Sequence, residues 1–186
     1  IYNAKNSIDI EMLLMDHQDV VTAIIEAKKR GVNVRILIDE IEFGKYNKFL
    51  DKLPLEGMAN FSSVTALTEA EIPVRWYNPT IKDRFLHAKT ALFDKQTLII
   101  GSANFTYHAL TRNHEVSIAL TSPEISTKFS QSFENDWNNF SKPAELTKTQ
   151  KNLGKLFRKV IHLIYNNSSE EEIKSAISIL SKSPQE

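Results

Sequence analysis

The 186-residue chain contains no cysteine. That excludes a disulfide framework and thiolate metal sites, and leaves the redox compartment open. No apolar run approaches the roughly 18 residues a membrane-spanning helix needs, and no signal peptide is visible. The expectation is therefore a cytoplasmic protein without stable membrane association. An excess of one charge is also missing: 23 Lys+Arg stand against 23 Asp+Glu, so any surface for a polyanion must be local. An initiator Met is absent as well. A chain opening on Ile1-Tyr2-Asn3-Ala4 reads as a fragment, with a segment lost upstream. What remains is ordinary for a soluble globule, at 41% hydrophobic and 25% charged residues, enough for one domain and an appendage.

Ser7 to Met15 (SIDIEMLLM) reads as a strand, alternating at first and then continuously apolar. Val20, Val21, Ile24, Ile25 and Ala27 recur at helical spacing and end in Lys28-Lys29-Arg30-Gly31, a helix stop. Val32 to Asp39 is the next strand, which makes a βαβ unit and a parallel, buried pair. Residues 41–60 read as loop and irregular helix, Val64 to Ala70 as helix, and Pro73 to Tyr77 as strand.

The chemistry-bearing stretch is Phe85 to Glu115, FLHAKTALFDKQTLIIGSANFTYHALTRNHE. Phe85 to Phe93 and Thr97 to Ile100 read as two strands joined by a tight turn. Together with the βαβ unit they predict an α/β fold with a mixed β-sheet. Residues two apart on a strand share a face, so His87 and Lys89 are expected to point the same way. A register with Asp94 opposite Thr97 sets Lys89 opposite Ser102 and His87 opposite Asn104. A one-residue slip sends the second pair to the other face. An imidazole, an ammonium, a hydroxyl and a carboxamide on one face suit a tetrahedral phosphate. A short helix from Phe105 to Leu110 would add backbone N–H groups at its start.

His87, Lys89, Asp94, Gly101, Ser102 and Asn104 match H-x-K-x4-D-x6-G-S-x-N at every defined position. This string resembles the HKD motif of the phospholipase D superfamily. The preceding strand, the helix ending in R-G-V and the strand ending in Asp39 fit the same family. So does the F-x-x-D-W ending at Phe133, Asp136 and Trp137 of a helix expected over Pro123 to Phe140, whose stripe Ile125, Phe129, Phe133 and Trp137 faces the core. The resemblance implies a sheet with helices on both faces, the phospholipase D/nuclease fold, over residues 1–140, and His87, Lys89, Ser102 and Asn104 as catalytic groups. It also implies that Glu115, starting a strand to Leu120, orients the His87 ring. Asp94 and Gly101 are then structural, Asp94 pinning the hairpin. Lys82, Arg84, Phe105, His108 and Arg112 are candidates for substrate contact.

Residues 141–186 read as a helical extension. Thr149 to Tyr165 carries Leu153, Leu156, Phe157, Val160, Ile161 and Ile164 on one face. Lys148, Lys151, Lys155, Arg158 and Lys159 lie elsewhere, and no acid stands between Glu145 and Glu170. Ser169 to Glu172 resembles a capping box for a last helix.

Phosphodiester displacement of the kind the resemblance implies needs two imidazoles: a nucleophile that forms a phosphohistidine, and an acid for the leaving oxygen. No metal and no cofactor are expected, since the lysines supply the positive charge. His17, His108, His114 and His162 lack a Lys two positions on, so one chain supplies half a site. Either two copies form a homodimer with a composite active site, or a second half lay upstream. The single motif and the likeness of GSANFT to the GSFNFT of family nucleases favour an endonuclease acting on DNA or RNA. The alternative is a phospholipase D or cardiolipin-synthase-like phosphatidyl hydrolase or transferase.

Overall fold

The computed structural model describes residues 1–40, 55–79 and 84–165, with positions 169, 171, 172, 174, 175 and 178. Lys82 and the expected loop over 41–54 lie outside them. Seven strands form one sheet: β1 (Ser7–Met12), β2 (Asn33–Asp39), β3 (Val74–Tyr77), β4 (Lys89–Phe93), β5 (Thr97–Gly101), β6 (Ser117–Thr121) and β7 (Ser141–Pro143). Their order is β6-β5-β4-β1-β2-β3-β7. The helices are α1 (Gln18–Lys29), α2 (Leu55–Glu69), α3 (Tyr107–Thr111), α4 (Pro123–Asn139) and α5 (Lys148–Tyr165). β1 pairs parallel with β2, and β2 with β3; the other pairs are antiparallel. This is the mixed, helix-flanked sheet expected from the sequence.

Strand alternation sorts the two faces. Ile8, Ile10, Met12, Ile36, Ile38, Val74 and Trp76 form one core with Val21, Ile24 and Ala27 of α1 and Val64 and Leu67 of α2. Leu37 and Tyr77 pack the other way, against Phe133 of α4, with Phe129 and Trp137 partly buried beside it. Ile125 stays 41% exposed, so the stripe foreseen on α4 is buried only over its later turns.

The α4 side of the sheet is also ionic. Arg35 donates to Asp9 at 2.8 Å and reaches both Glu134 oxygens at 2.6 and 3.1 Å. Its guanidinium lies over the rings of Phe133 and Trp137. Lys95 pairs with the second Asp9 oxygen. Asp9 is 1% exposed, and these two cations are what allow it to be buried charged. Glu11, two residues on, has no such cation. Burial pushes its carboxyl up to about 7, and the neighbouring Asp136 adds to the shift. Its Oε1 has no hydrogen-bond partner among the described residues.

The extension is tied to the domain at both described elements. β7 pairs with β3 at the sheet edge. α5 opens on a capping box that sequence reading missed: Thr147 Oγ1 accepts from the Gln150 N–H, and Gln150 Oε1 from the Thr147 N–H. Phe157 and Val160 are buried in a cluster with Leu14, Leu153 and Leu156. Gly154 lets the helix close on α2, since a Cβ there would stand 2.5 Å from the Phe61 carbonyl oxygen. The expected capping box at Ser169 forms, with Glu172 accepting from the Ser169 N–H at 2.8 Å.

A proton-linked stability follows from Glu11. Its folded value lies above its unfolded one, so the fold binds a proton the unfolded chain releases, and stability falls as pH rises from about 4.5 to about 7. Glu11→Gln should remove that share of the slope and leave the variant the more stable of the two at pH 8. Urea unfolding across the pH series checks this, and an unchanged slope would refute it.

Candidate functional site

The hairpin differs from the expected one. Phe93 pairs with Thr97 and Thr90 with Ile100, one residue from the register with Asp94 opposite Thr97. The reason is Asp94. Its carboxylate accepts from the N–H groups of Lys5, Asn6 and Ser7 at 2.6 to 3.1 Å, and its own N–H donates to the Ser7 carbonyl at 2.8 Å. Drawn to the start of β1, Asp94 leaves the ladder, and Asp94 and Lys95 take φ of 53° and 56°. These bonds hold the carboxyl below its ordinary range despite burial. Asp94 thus ties the hairpin turn to the sheet's first strand.

The strand foreseen from Phe85 begins only at Lys89. Residues 86 and 88 are bound elsewhere: the Leu86 N–H donates to Asp39 Oδ2 at 2.5 Å, and the Ala88 carbonyl accepts from the Leu13 N–H at 3.1 Å. His87 therefore does not share a strand face with Lys89. It is exposed, edge-on to the Phe85 ring at 5.7 Å. Lys89 is 8% exposed and donates to the His87 carbonyl at 2.8 Å. Burial lowers its ammonium pKa, and Glu115 opposes that shift.

Ser102 and Asn104 lie beyond the end of β5, so bends rather than the pleat place them. Ser102 Oγ donates to Glu115 Oε2 at 2.5 Å and accepts from the Val116 N–H at 3.1 Å. Asn113 donates to the other Glu115 oxygen at 3.1 Å. These two bonds hold the Glu115 carboxyl below its ordinary range, and Lys89 adds to the effect. Both Glu115 oxygens are thus engaged, and no hydrogen bond joins it to the His87 ring among the described residues. Because β6 starts at Ser117 rather than Glu115, Glu115 lies off the ladder, against Ser102. At Gly101 a Cβ would collide with Ser117 and the Val116 carbonyl, so only glycine permits this approach of β5 and β6.

Asn104 Oδ1 accepts from the Leu14 N–H at 3.3 Å. Phe105 packs its side chain against the main core, and its carbonyl accepts from the Asp16 and His17 N–H groups. The helix after it starts at Tyr107, and its first N–H groups are taken: Tyr107 by Asp16 at 2.9 Å and Ala109 by Thr106 at 3.3 Å. They do not form the free anion site expected there. Arg84, His108 and Arg112 are exposed, Arg112 with its guanidinium over the Tyr107 ring.

Two residues that sequence reading did not single out hold this arrangement. Asp39, at the end of β2, fastens the residue before His87, and burial pushes its carboxyl up to about 6. Asn60 is 1% exposed. Its amide accepts from the Met15 N–H at 3.0 Å and donates to the carbonyls of Leu13 at 2.8 Å and Asp39 at 3.1 Å. The segment it clamps is the one that touches Ala88 and Asn104. A strand ending in a lone acid was a usable signal for Asp39; a single Asn before an apolar helical run gave none. Asn60→Ala should cost at least about 2 kcal/mol, because three buried backbone groups lose their partner, with faster amide exchange at Met15; an unchanged urea midpoint would refute the clamp.

The sequence and the fold both have counterparts among known proteins. A family model described as cardiolipin synthase, PLD-like domain, matches residues 1–137. The mitochondrial cardiolipin hydrolase of Chlamydomonas reinhardtii is 27% identical over 138 residues, 74% of this chain and 54% of that protein. The one from Danio rerio is 31% identical over 152 residues, 82% and 60% of the two lengths. The chain thus spans little more than half of these relatives. The crystal structure of Nuc, a phospholipase D family member from Salmonella typhimurium, superposes with a TM-score of 0.63 at 27% identity, covering 78% of this chain and 86% of that one. Across the sheet and the hairpin that carries His87, the chain belongs to the phospholipase D superfamily of PLD-like domains.

Proposed function

We propose that the chain is a metal-independent phosphodiesterase that cleaves DNA or RNA as an endonuclease, at a site completed by a second copy. The observation that carries this reading is the setting of His87. An exposed imidazole, whose backbone carbonyl accepts from the buried Lys89 ammonium, accompanies a Ser102–Glu115 pair and an Asn104 fixed by Leu14, and one chain supplies only half of the acid–base machinery. The neighbouring strand edge supports pairing of copies. Val116, just before β6, and Ile118 on it are 74% and 50% exposed, and Ile100 of β5 is 39% exposed, an apolar border that a second copy about a two-fold axis would cover.

In the proposed reaction the neutral His87 ring of one copy attacks phosphorus as the bond to the leaving oxygen breaks. The protonated His87 ring of the other copy gives that oxygen its proton. The same ring then takes a proton from water, whose oxygen attacks the phosphohistidine and frees the first ring. Lys89, Ser102 and Asn104 stabilise the charge that gathers on the phosphoryl oxygens. Glu115 acts through Ser102 and Lys89. Arg84, His108 and Arg112 lie outside this set as exposed groups that guide the polyanion; Lys82 and the core-packed Phe105 complete the candidates for substrate contact.

A lipid phosphodiester is the second reading, favoured by the cardiolipin hydrolases among the similar proteins. Plasmid DNA and cardiolipin vesicles, each incubated with the chain and EDTA, separate the two. Nicking that survives EDTA, and falls at least about a thousand-fold in His87→Ala, is the expected result. Release of phosphatidic acid without nicking sinks the nuclease reading. Ile118→Asp should yield a monomer by light scattering and lose activity with the dimer; a fully active monomer would refute the shared site.

A further inference from the structure

The described part of the extension lies outside the family match, and nothing in the reaction above uses it. α5 buries one side and displays the other. Lys148, Lys151, Lys155, Lys159 and His162 are all exposed, and their spacing of three and four residues sets them along one line of the helix. The line is roughly 21 Å long at about 1.5 Å per residue. In a chain of zero net charge, it carries no acid from Leu146 to Ser169; the acid facing it is Glu69 of α2, paired with Lys155 at 2.7 Å.

Solubility alone does not explain the placement. Lys148 and Lys151 sit at the start of α5, where the helix dipole disfavours cations. At its other end the line opens on a hollow of about 440 Å³ lined by Gln18, Arg158, Lys159, His162 and Leu163. Gln18 closes one wall by donating to the Arg158 carbonyl at 3.0 Å. The residue before it, His17, stacks on Tyr107 at 5.8 Å, and Arg112 lies over that same ring. From there the chain leads back through Phe105 to Asn104. α5 itself packs on Leu14, whose N–H holds Asn104. The hollow is thus joined to the Arg112 guanidinium through Gln18, His17 and Tyr107, and α5 to Asn104 through Leu14.

We propose that the α5 stripe Lys148–Lys151–Lys155–Lys159–His162 is a binding track for the phosphodiester backbone of a nucleic acid, leading the strand past Gln18 toward His87. This rests on the nucleic-acid reading above and extends it. An anionic membrane is the other polyanion a basic amphipathic helix can meet, but such helices insert their apolar face. Here that face is spent: Phe157 and Val160 are 4% and 3% exposed, and Gly154 sits against the Phe61 backbone. A backbone read by charge alone requires no apolar contact.

The test compares Lys148→Gln/Lys151→Gln/Lys159→Gln with the parent, both full chain and on a His87→Ala background so that the strand stays intact. Fluorescence anisotropy with a labelled single-stranded DNA 30-mer is read across a salt series. Losing three phosphate contacts should flatten the slope of log K against log salt by about 2 and weaken binding at least about ten-fold at low salt. The matching Lys→Arg variant should bind like the parent, and equal thermal midpoints exclude a folding defect. Equal affinity and slope in the Gln variant, with the otherwise wild-type chain still nicking DNA, overturn the track alone. Loss of binding to phosphatidylglycerol vesicles with DNA binding unchanged overturns it in favour of a lipid surface. A parent that does not bind DNA, together with an otherwise wild-type chain that does not nick it, removes the nucleic-acid reading and the track together.

Discussion

The arrangement hangs on a carboxamide that never meets solvent. Asn60 gathers the ends of β1 and β2 and the second helix around one side chain by bonding Leu13, Met15 and Asp39, and residues 13–15 carry the backbone contacts around His87 and Asn104. Leu13 fixes the backbone beside His87, Leu14 fixes the side chain of Asn104, and Met15 bridges to Phe105. Separate stretches of sequence therefore reach one place through backbone contacts rather than through side chains alone. This is economical in a small domain, because buried peptide groups do much of the fastening.

The two faces of the sheet solve burial differently. The side covered by the first two helices is mostly aliphatic at the sheet, with Ile8, Ile10, Ile36, Ile38 and Val74, and its buried polar groups such as Asn60 are hydrogen-bonded. The side under α4 admits Asp9, Glu11 and Arg35, and their fates diverge with their partners. Asp9 is paired with two cations, Arg35 and Lys95; burial and the neighbouring Asp136 favour the neutral form of Glu11. Asp39, raised for the same reason, still fastens the Leu86 N–H from within that layer. The layer that anchors Leu86, the residue before His87, is thus sensitive to protons.

Much of this was legible in the sequence. The βαβ unit, the hairpin, α4 and α5 announce themselves through periodicity and stop signals, and Ser102 and Glu115 meet, with Lys89 close enough to feel the Glu115 charge. What could not be read was local and had one kind of cause. The register moved because Asp94 prefers backbone N–H groups from a strand almost ninety residues away. The first strand of the hairpin shortened because Asp39 and Leu13 claim the peptide groups around His87. Glu115 went to Ser102 because its strand begins two residues late. In each case a long-range hydrogen bond overrode a local preference, and pattern counting has no access to such partners.

The short strand β7 has a consequence for assembly. It seals the flank next to β3 with a segment containing Lys142 and Pro143, residue types that discourage another strand from adding on. The opposite flank, β6, carries no such guard. A sheet blocked on one side and open on the other cannot propagate as a ribbon. Any pairing of copies through β6 would use up the open flank, so growth would stop at two.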